Sequence, residues 1–264
     1  MGLVVDELTQ IKIGELSVYE SLGLKSFQFI VALAFIVAAF ICSKVFRVDF
    51  LSFSGLTNKP KILHLGIAFL MLIAIVPIVD GLVRINGALE FPAETQQQLL
   101  EMEEKSDNTY GLFLQHNTGI HLFINLLLMS ILAAVGEEIF FRGILMRVIA
   151  NWTKNIHIGI FASALIFAFI HFQPFKILPM VLLAVLFGYL YYRTQSLWVP
   201  IILHAINNAL VVFADWATKQ NIESPMLTED FVVPTPYILV GVVVLVGLFF
   251  ILNKNTRSTN FDYE

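Results

Sequence analysis

The chain has 264 residues, of which 58% are hydrophobic and only 14% charged, with a net charge of −4 at pH 7. Soluble domains are about one-quarter charged, so this composition excludes an ordinary water-soluble globule and favours a protein dissolved mostly in lipid. The negative net charge gives a nucleic-acid partner no electrostatic support. The single cysteine, Cys42, excludes an intrachain disulfide and a cysteine-based metal site.

Long apolar stretches run through the chain, and a membrane-spanning helix needs about 20 such residues. We predict an all-α, polytopic transmembrane helix bundle with about seven spans. In chain order the predicted spans are 26–43, 62–79, 119–150, 156–172, 177–192, 198–215 and 237–252. The first 25 residues lack the basic start and short apolar core of a signal peptide. They predict a segment on the membrane surface or against the bundle.

The stretch 80–118 differs from its surroundings because it carries five glutamates, two aspartates and a run of three glutamines. Such a segment cannot lie in lipid, so it predicts an aqueous loop or a surface helix. We find no internal repeat, no low-complexity linker and no second soluble domain. Residues 1–264 are therefore predicted to form a single integral membrane domain with a multi-pass topology.

Polar residues inside predicted spans need an explanation, because a charged group at the centre of a bilayer costs about 2.5–3.5 kcal/mol on insertion scales. Three tight groups of such residues follow one another along the chain. They are Glu137-Glu138 with Arg142, Phe167 with His171, and His204 with Asn208.

Helix spacing separates the two glutamates. Glu138 and Arg142 are four residues apart and share a helix face, which predicts an internal ion pair. Glu137 lies about 100° around the helix from Glu138 and is left without a helical partner, which suits a general base. A purely structural reading is also open, in which the ion pair packs helices together and Glu137 faces a water-filled crevice.

The six histidines divide into two sets. His171 ends an apolar helix, and His204 shares a helix face with Asn208. Taken alone, such residues often cap a helix or hold two helices together by hydrogen bonds. The other four lie near span ends or in the polar stretch, and we predict that they are interfacial: His64, His116, His121 and His157.

Together with Glu137, these residues fit the requirements of peptide hydrolysis. Glu137 and His171 could activate a water molecule, while His204 and Asn208 could donate hydrogen bonds to the tetrahedral oxyanion. No G-x-S-x-G serine motif and no H-E-x-x-H zinc helix is present. One carboxylate and two histidines could instead hold a zinc ion with one open position, so a metal-dependent version stays open.

At these residues the chain resembles the CPBP family of membrane proteases (CAAX protease and bacteriocin-processing, or Abi). The resemblance covers about residues 119–215 and rests on the ordered set EExxxR, FxxxH and HxxxN, with Tyr192–His204 similar to the connection into the third motif. Gln195 departs from the pattern, because a glycine is expected there.

The resemblance implies an intramembrane glutamic endopeptidase in a bacterial inner membrane. Its catalytic residues would be Glu137, His171, His204 and Asn208, with Glu138 and Arg142 in support. It implies a peptide or protein substrate, membrane-associated substrates included, and no cofactor, although older descriptions of the family invoke a metal. Two alternative hypotheses stay open. One is a protease with zinc bound by Glu137, His171 and His204, and the other is a non-catalytic scaffold or transporter.

Simple span counting puts His171 and His204 at different depths in the membrane. They can meet only if the 156–172 helix is short or tilted, or if the connection 173–175 dips into the bundle. Irregular backbone is tolerated at such depth only where protein covers it or where it lines a cavity. We predict a dip of this kind.

Overall fold

A computed structural model describes residues 17–116, 118–222, 224 and 232–256, and all regular secondary structure in this part of the chain is helical. The long helices follow one another with short connections, apart from the segment before the last. The helices are α1 (Val18–Val45), α2 (Phe50–Ser54), α3 (Ile62–Gly87), α4 (Ala93–Leu114), α5 (Gly119–Thr153), α6 (Ile156–Phe169), α7 (Ile177–Thr194), α8 (Trp198–Lys219) and α9 (Thr235–Asn255).

Six of the described helices, α1, α3, α5, α7, α8 and α9, are long and apolar enough to cross a membrane. The predicted all-α, polytopic bundle is thus confirmed, and the predicted number of about seven spans is close. The difference is α6, which has 14 residues and therefore a length of about 21 Å. A hydrocarbon core is about 30 Å thick, so α6 is too short to cross alone.

The first helix begins earlier than the apolar stretch predicts. Ser17 accepts a hydrogen bond from the Glu20 amide while the Glu20 carboxylate accepts one from the Ser17 amide. This reciprocal capping box fixes the start of the helix at Val18. The surface segment predicted for the N-terminus falls mainly on residues 1–16, outside the described residues.

The polar stretch is divided between the end of α3 and the separate helix α4. Helix α3 continues to Gly87, beyond Pro77 in its interior, and α4 then carries most of the acidic residues on a surface helix. Helix α9 packs closely on α3 at this proline, because a Cβ added at Gly241 would lie 2.6 Å from the Ala74 carbonyl oxygen and 2.9 Å from Pro77 Cγ.

Helix α5 carries the first motif and is not a regular α-helix. Two π-helical segments, Leu126–Leu132 and Ile139–Leu145, flank a short α-helical segment, Ala133–Glu138. π-Helical insertions occur frequently at functional sites, since they change which side chains share a face. Glu137 and Glu138 are the last two residues before the second π-helical segment.

Close packing holds α5 in the middle of the bundle. A Cβ at Gly136 would lie 2.7 Å from the Ala32 carbonyl oxygen of α1, and a Cβ at Gly159 of α6 would lie 2.6 Å from the Met146 carbonyl oxygen of α5. Only glycine allows backbones to approach so closely. The backbone that carries the two glutamates is thereby fixed against α1 on one side and α6 on the other.

Candidate active site

The predicted ion pair between Glu138 and Arg142 is present and completely buried. Arg142 Nη1 donates to Glu138 Oε1 at 2.7 Å, and the two side chains are 2% and 0% exposed. Arg142 Nη2 also donates to the Ala184 carbonyl oxygen of α7 at 3.1 Å. The buried guanidinium therefore has an acceptor on each of two helices, as a buried charge requires.

His204 lies between the two glutamates. Its Nδ1 is 2.8 Å from Glu138 Oε1, and its Nε2 is 3.6 Å from Glu137 Oε2. A carboxylate oxygen can only accept, so the hydrogen bond to Glu138 places a proton on Nδ1. The ring is thereby oriented, and Nε2 points toward Glu137 across a gap slightly too long for a direct hydrogen bond.

The two glutamates have different surroundings, as their helical spacing predicts. Glu138 is completely buried; its Oε1 accepts from both Arg142 and His204, while its Oε2 has no hydrogen-bond partner among the described residues. The Glu137 side chain is 15% exposed, and its contact is the longer one with His204. Glu138 is thus placed to orient other groups, and Glu137 keeps a carboxylate oxygen available for chemistry.

Aromatic rings surround this polar cluster. The Phe187 ring stacks on the His204 ring with centroids 5.4 Å apart, and the Phe167 ring packs against His204 edge-on at 5.9 Å. Arg142 Cζ lies 4.9 Å from the Phe167 centroid and 5.7 Å from the Phe187 centroid. Cation–π contacts of this kind strengthen when water is excluded, so both rings help to hold the buried arginine.

His171 approaches the same cluster from the end of α6. Its Nδ1 donates to the Phe167 carbonyl oxygen at 2.6 Å, and its ring lies 4.5 Å from the Phe167 ring. A backbone carbonyl can only accept, so neutral His171 has its lone pair on Nε2. Phe167 therefore contacts both histidine rings, and it links the second and third motifs.

An irregular connection follows His171. Helix α6 ends at Phe169, Phe172 adopts a positive φ of 53°, and a short 3₁₀ turn, Pro174–Lys176, leads into α7. The acidic face of α4 holds this connection, because Glu103 accepts from the Phe175 amide at 3.1 Å and Asp107 accepts from Lys176 at 2.7 Å. The short α6 thus supplies one of the conditions under which the two histidines can approach.

Asn208, the fourth predicted catalytic residue, forms its hydrogen bonds outside the cluster of Glu137, Glu138 and His204. Its Nδ2 donates to the Met129 carbonyl oxygen at 3.4 Å, within the first π-helical segment of α5. His204 and Asn208 therefore contact different acceptors in the described structure. The bond to Met129 is long, so the amide could be redirected to another acceptor at little cost.

The zinc hypothesis can be compared with these positions. Among the residues that the structure describes, no three His, Cys, Asp or Glu side chains are placed as ligands of one metal ion. Because His204 Nδ1 donates to Glu138, only its Nε2 is available to a metal ion. The described residues, as arranged, do not present three ligands to one zinc ion.

Several contributors to the site carried no signal in the sequence. Phe187 and the Ala184 carbonyl stand in an apolar helix that looks uniform, and the Met129 carbonyl is a backbone group. Gly136, which precedes the two glutamates, could be recognised only as a small residue in a span. Gln195, which replaces the expected glycine, has a left-handed φ of 56° at the end of α7, a conformation that glycine adopts without strain.

The fold and the cluster define a polytopic helical membrane protein with a buried Glu–His–Arg site. Comparison with known families gives the same class: residues 119–210 match the model described as "Type II CAAX prenyl endopeptidase Rce1-like". The resemblance expected from the three motifs is confirmed over this segment. No solved structure matches the chain significantly.

One curated relative is similar to part of this chain. The "Putative membrane peptidase YdiL" of Bacillus subtilis (strain 168) is 32% identical over 92 residues. These residues make up 35% of this chain and 37% of the relative. The similarity therefore covers little more than a third of either protein.

Proposed function

We propose that the protein is an intramembrane endopeptidase in which Glu137 activates a water molecule for attack on a peptide bond. The observation that carries this proposal is the position of His204, which is held by Glu138 through Nδ1 while Nε2 points at Glu137 across 3.6 Å. The match of residues 119–210 to an endopeptidase family and the membrane-spanning helices support the same reaction class.

In the proposed reaction, Glu137 takes a proton from water as the water oxygen attacks the carbonyl carbon. The C=O bond opens to a tetrahedral oxyanion, and the proton then passes to the leaving nitrogen as the C–N bond breaks. His171 assists through Nε2, because its Nδ1 proton is bonded to the Phe167 carbonyl oxygen. General acid–base assistance of this kind typically contributes 10²- to 10⁴-fold, an order-of-magnitude range.

The oxyanion would be stabilised by His204 and Asn208. Since His204 Nδ1 already donates to Glu138, donation from Nε2 to the oxyanion requires a proton on both ring nitrogens. The Asn208 amide would leave the Met129 carbonyl oxygen and turn to the substrate. Glu138 and Arg142 act as positioning residues, since they orient His204 and do not face the reacting atoms.

The proposed substrate is a peptide or protein tail that reaches Glu137 between α5 and α8, either from the bilayer or from the aqueous phase. Prenylation of the substrate is not required by the three motifs. The proposed location is a bacterial plasma membrane, which the Bacillus subtilis relative supports. The proposed reaction uses no metal ion.

The test compares purified wild type with Glu137→Gln in lipid nanodiscs, using a library of internally quenched peptides and mass spectrometry of the products. We expect wild type to cleave a subset of the library and Glu137→Gln to cleave none, with an unchanged melting temperature. Glu101→Gln is the matched control, because Glu101 lies exposed on α4, where it accepts a hydrogen bond from Gln97; it should cleave like wild type.

Three outcomes contradict the proposal, each in a different way. Full cleavage by Glu137→Gln would remove the catalytic glutamate from the mechanism. Loss of activity in a strong chelator, restored by zinc, would favour the metal-dependent version. If wild type cleaves no peptide, while His204→Ala and Asn208→Ala lower stability or alter solute passage, the protein is a scaffold or transporter.

A further inference from the structure

Asn86 is a buried polar residue that none of the three motifs includes. It lies in the last turn of α3 and is 4% exposed. Its side chain makes two hydrogen bonds to the connection between α6 and α7. Nδ2 donates to the Pro174 carbonyl oxygen at 3.0 Å, and Oδ1 accepts from the Leu178 amide at 2.9 Å. Both ends of the buried amide are therefore used to hold one connection.

These two bonds enclose the short 3₁₀ turn in that connection. Pro174 begins the turn, and Leu178 is the second residue of α7. Amides in the first turn of a helix have no acceptor within the helix, and the residue before α7, Lys176, supplies no side-chain cap. Asn86 therefore caps α7 from another helix while it also holds the start of the turn.

Helix α4 contacts the other side of the same connection. Glu103 Oε2 accepts from the Phe175 amide at 3.1 Å, and Asp107 Oδ1 accepts from Gln173 Nε2 at 3.3 Å. The Asp107 side chain is 53% exposed, and exposed charged contacts contribute little to stability. The buried amide of Asn86 is therefore the firmer of the two anchors.

A strained residue lies between His171 and the anchored turn. Phe172 has a φ of 53°, in the left-handed region that a bulky residue rarely adopts. Such strain persists only where the surrounding structure imposes it. The Phe172 side chain is 64% exposed, so its own packing does not impose this conformation. The turn that begins two residues later, held by Asn86, does.

We propose that Asn86 is a positioning residue of the peptidase, which holds the connection 172–178 and thereby fixes the place of His171. On its other side His171 is held by the end of α6, through its Nδ1 bond to the Phe167 carbonyl oxygen. The inference rests on the proposed peptidase function for the role of His171. The hydrogen bonds of Asn86 do not depend on that function.

The first experiment is a kinetic double-mutant cycle on the full-length protein in nanodiscs. For a peptide that wild type cleaves, kcat and KM are measured for wild type, Asn86→Ala, His171→Ala and the double variant. A displacement of about 1 Å can cost about 10²-fold in rate, so we expect Asn86→Ala to lower kcat by about 10- to 100-fold and to leave KM nearly unchanged. In the His171→Ala background the same change should have no further effect, because the residue that Asn86 positions is already absent.

Asn58→Ala is the matched control. Asn58 also holds a connection between helices, since its Nδ2 donates to the Gln195 carbonyl oxygen between α7 and α8. That connection carries none of the proposed catalytic residues, so Asn58→Ala should keep the kcat of wild type. Asn86→Asp retains an acceptor for the Leu178 amide and loses the donor to Pro174. It should therefore lower kcat less than Asn86→Ala does.

The second experiment does not need catalysis. Hydrogen exchange of the segment 172–178 is followed by mass spectrometry in nanodiscs, because exchange reports the local opening of hydrogen-bonded amides. Asn86→Ala should raise the exchange of this segment, and Asn58→Ala should not. If Asn86→Ala does not fold, both experiments are made with Asn86→Asp, and unchanged kcat and exchange in that variant would overturn the inference.

Failure of the peptidase reaction can be told apart from failure of this inference. Raised exchange in Asn86→Ala, in a protein that cleaves no peptide, would keep the hold on the connection and reject the peptidase. Cleavage that depends on Glu137 and has the same kcat in wild type and Asn86→Ala would keep the peptidase and reject the positioning role. A fall in kcat that is equally large with and without His171 would reject that role too, since Asn86 would then act on the fold as a whole.

Discussion

Two buried cations occupy the interior of this bundle in opposite ways. Arg142 has a carboxylate, a backbone carbonyl and two aromatic rings around it. Lys25 is equally buried and has no hydrogen-bond partner among the described residues. Burial alone therefore does not indicate the role of a charge in a membrane protein; the partners of the charge do.

The difference has an energetic reason. A buried ion pair offsets the cost of desolvation only if its geometry is good and the remaining donors are satisfied, and Arg142 meets both conditions. Lys25 meets neither condition, so its burial lowers the stability of the folded protein. We infer that Arg142 organises the site before any substrate arrives.

Among the variants of these cations, Arg142→Met is expected to have the largest effect on stability. Removal of the guanidinium leaves the Glu138 carboxylate buried with a single partner, His204, which typically costs about 3–5 kcal/mol. The melting temperature in detergent micelles should fall sharply, and the protein should lose activity together with stability. The double variant Arg142→Met, Glu138→Gln should recover much of the lost stability, since no uncompensated charge remains. Equal stability of wild type and Arg142→Met would show that the pair is not structural.

Asn208→Ala should separate catalysis from stability within the same cluster. Asn208 is neutral and only partly buried, and its single backbone contact is long, so the melting temperature should change little. Loss of one oxyanion donor typically lowers kcat by about 10²- to 10³-fold. Asn151→Ala, at a partly buried asparagine near the C-terminal end of α5, is the control and should keep its rate. A fall in stability without a fall in kcat would assign Asn208 to helix packing.

Much of the site could be predicted from the spacing of a few residues. The i, i+4 relation alone predicts the Glu138–Arg142 ion pair, and the same geometry separates Glu137 from Glu138. The three motifs also predict the family resemblance that residues 119–210 confirm. These predictions succeed because a charged residue in an apolar span has few available partners.

The remaining features depend on tertiary contacts or on local backbone geometry. The π-helical segments of α5 have no signal in hydrophobic periodicity, so the acceptor of Asn208 could not be predicted. The turn after His171 is held by Glu103 and Asp107 of α4, which lie some 70 residues earlier in the sequence. The burial of Lys25 could not be predicted either, because it depends on the neighbours of Lys25 in the bundle.

Lys25→Met tests the effect of the second buried cation on stability. Replacement of an unpaired buried ammonium by an apolar chain of similar length removes a desolvation cost, so the protein should become more stable. The change should be of the order of 1–2 kcal/mol, the lower part of the range for replacing buried charges by apolar residues. Differential scanning calorimetry in nanodiscs would measure it. A marked loss of stability would mean that Lys25 is paired in the membrane, and the contrast with Arg142 would disappear.

Lys176 provides a third kind of cation, which is paired but exposed. It contacts Asp107 Oδ1 at 2.7 Å and Glu103 Oε1 at 3.0 Å, and 38% of its side chain is accessible. Exposed pairs contribute about 0–1 kcal/mol and weaken in salt. Lys176→Met should therefore lower the melting temperature slightly at low salt and not at all at high salt, whereas the effect of Arg142→Met should persist at both. The contrary result would be that Lys176→Met lowers the melting temperature as much as Arg142→Met does, at both salt concentrations. That result would show that the partners of these cations do not alone determine their contribution to stability. The contact of Lys176 with α4 would then belong to the core.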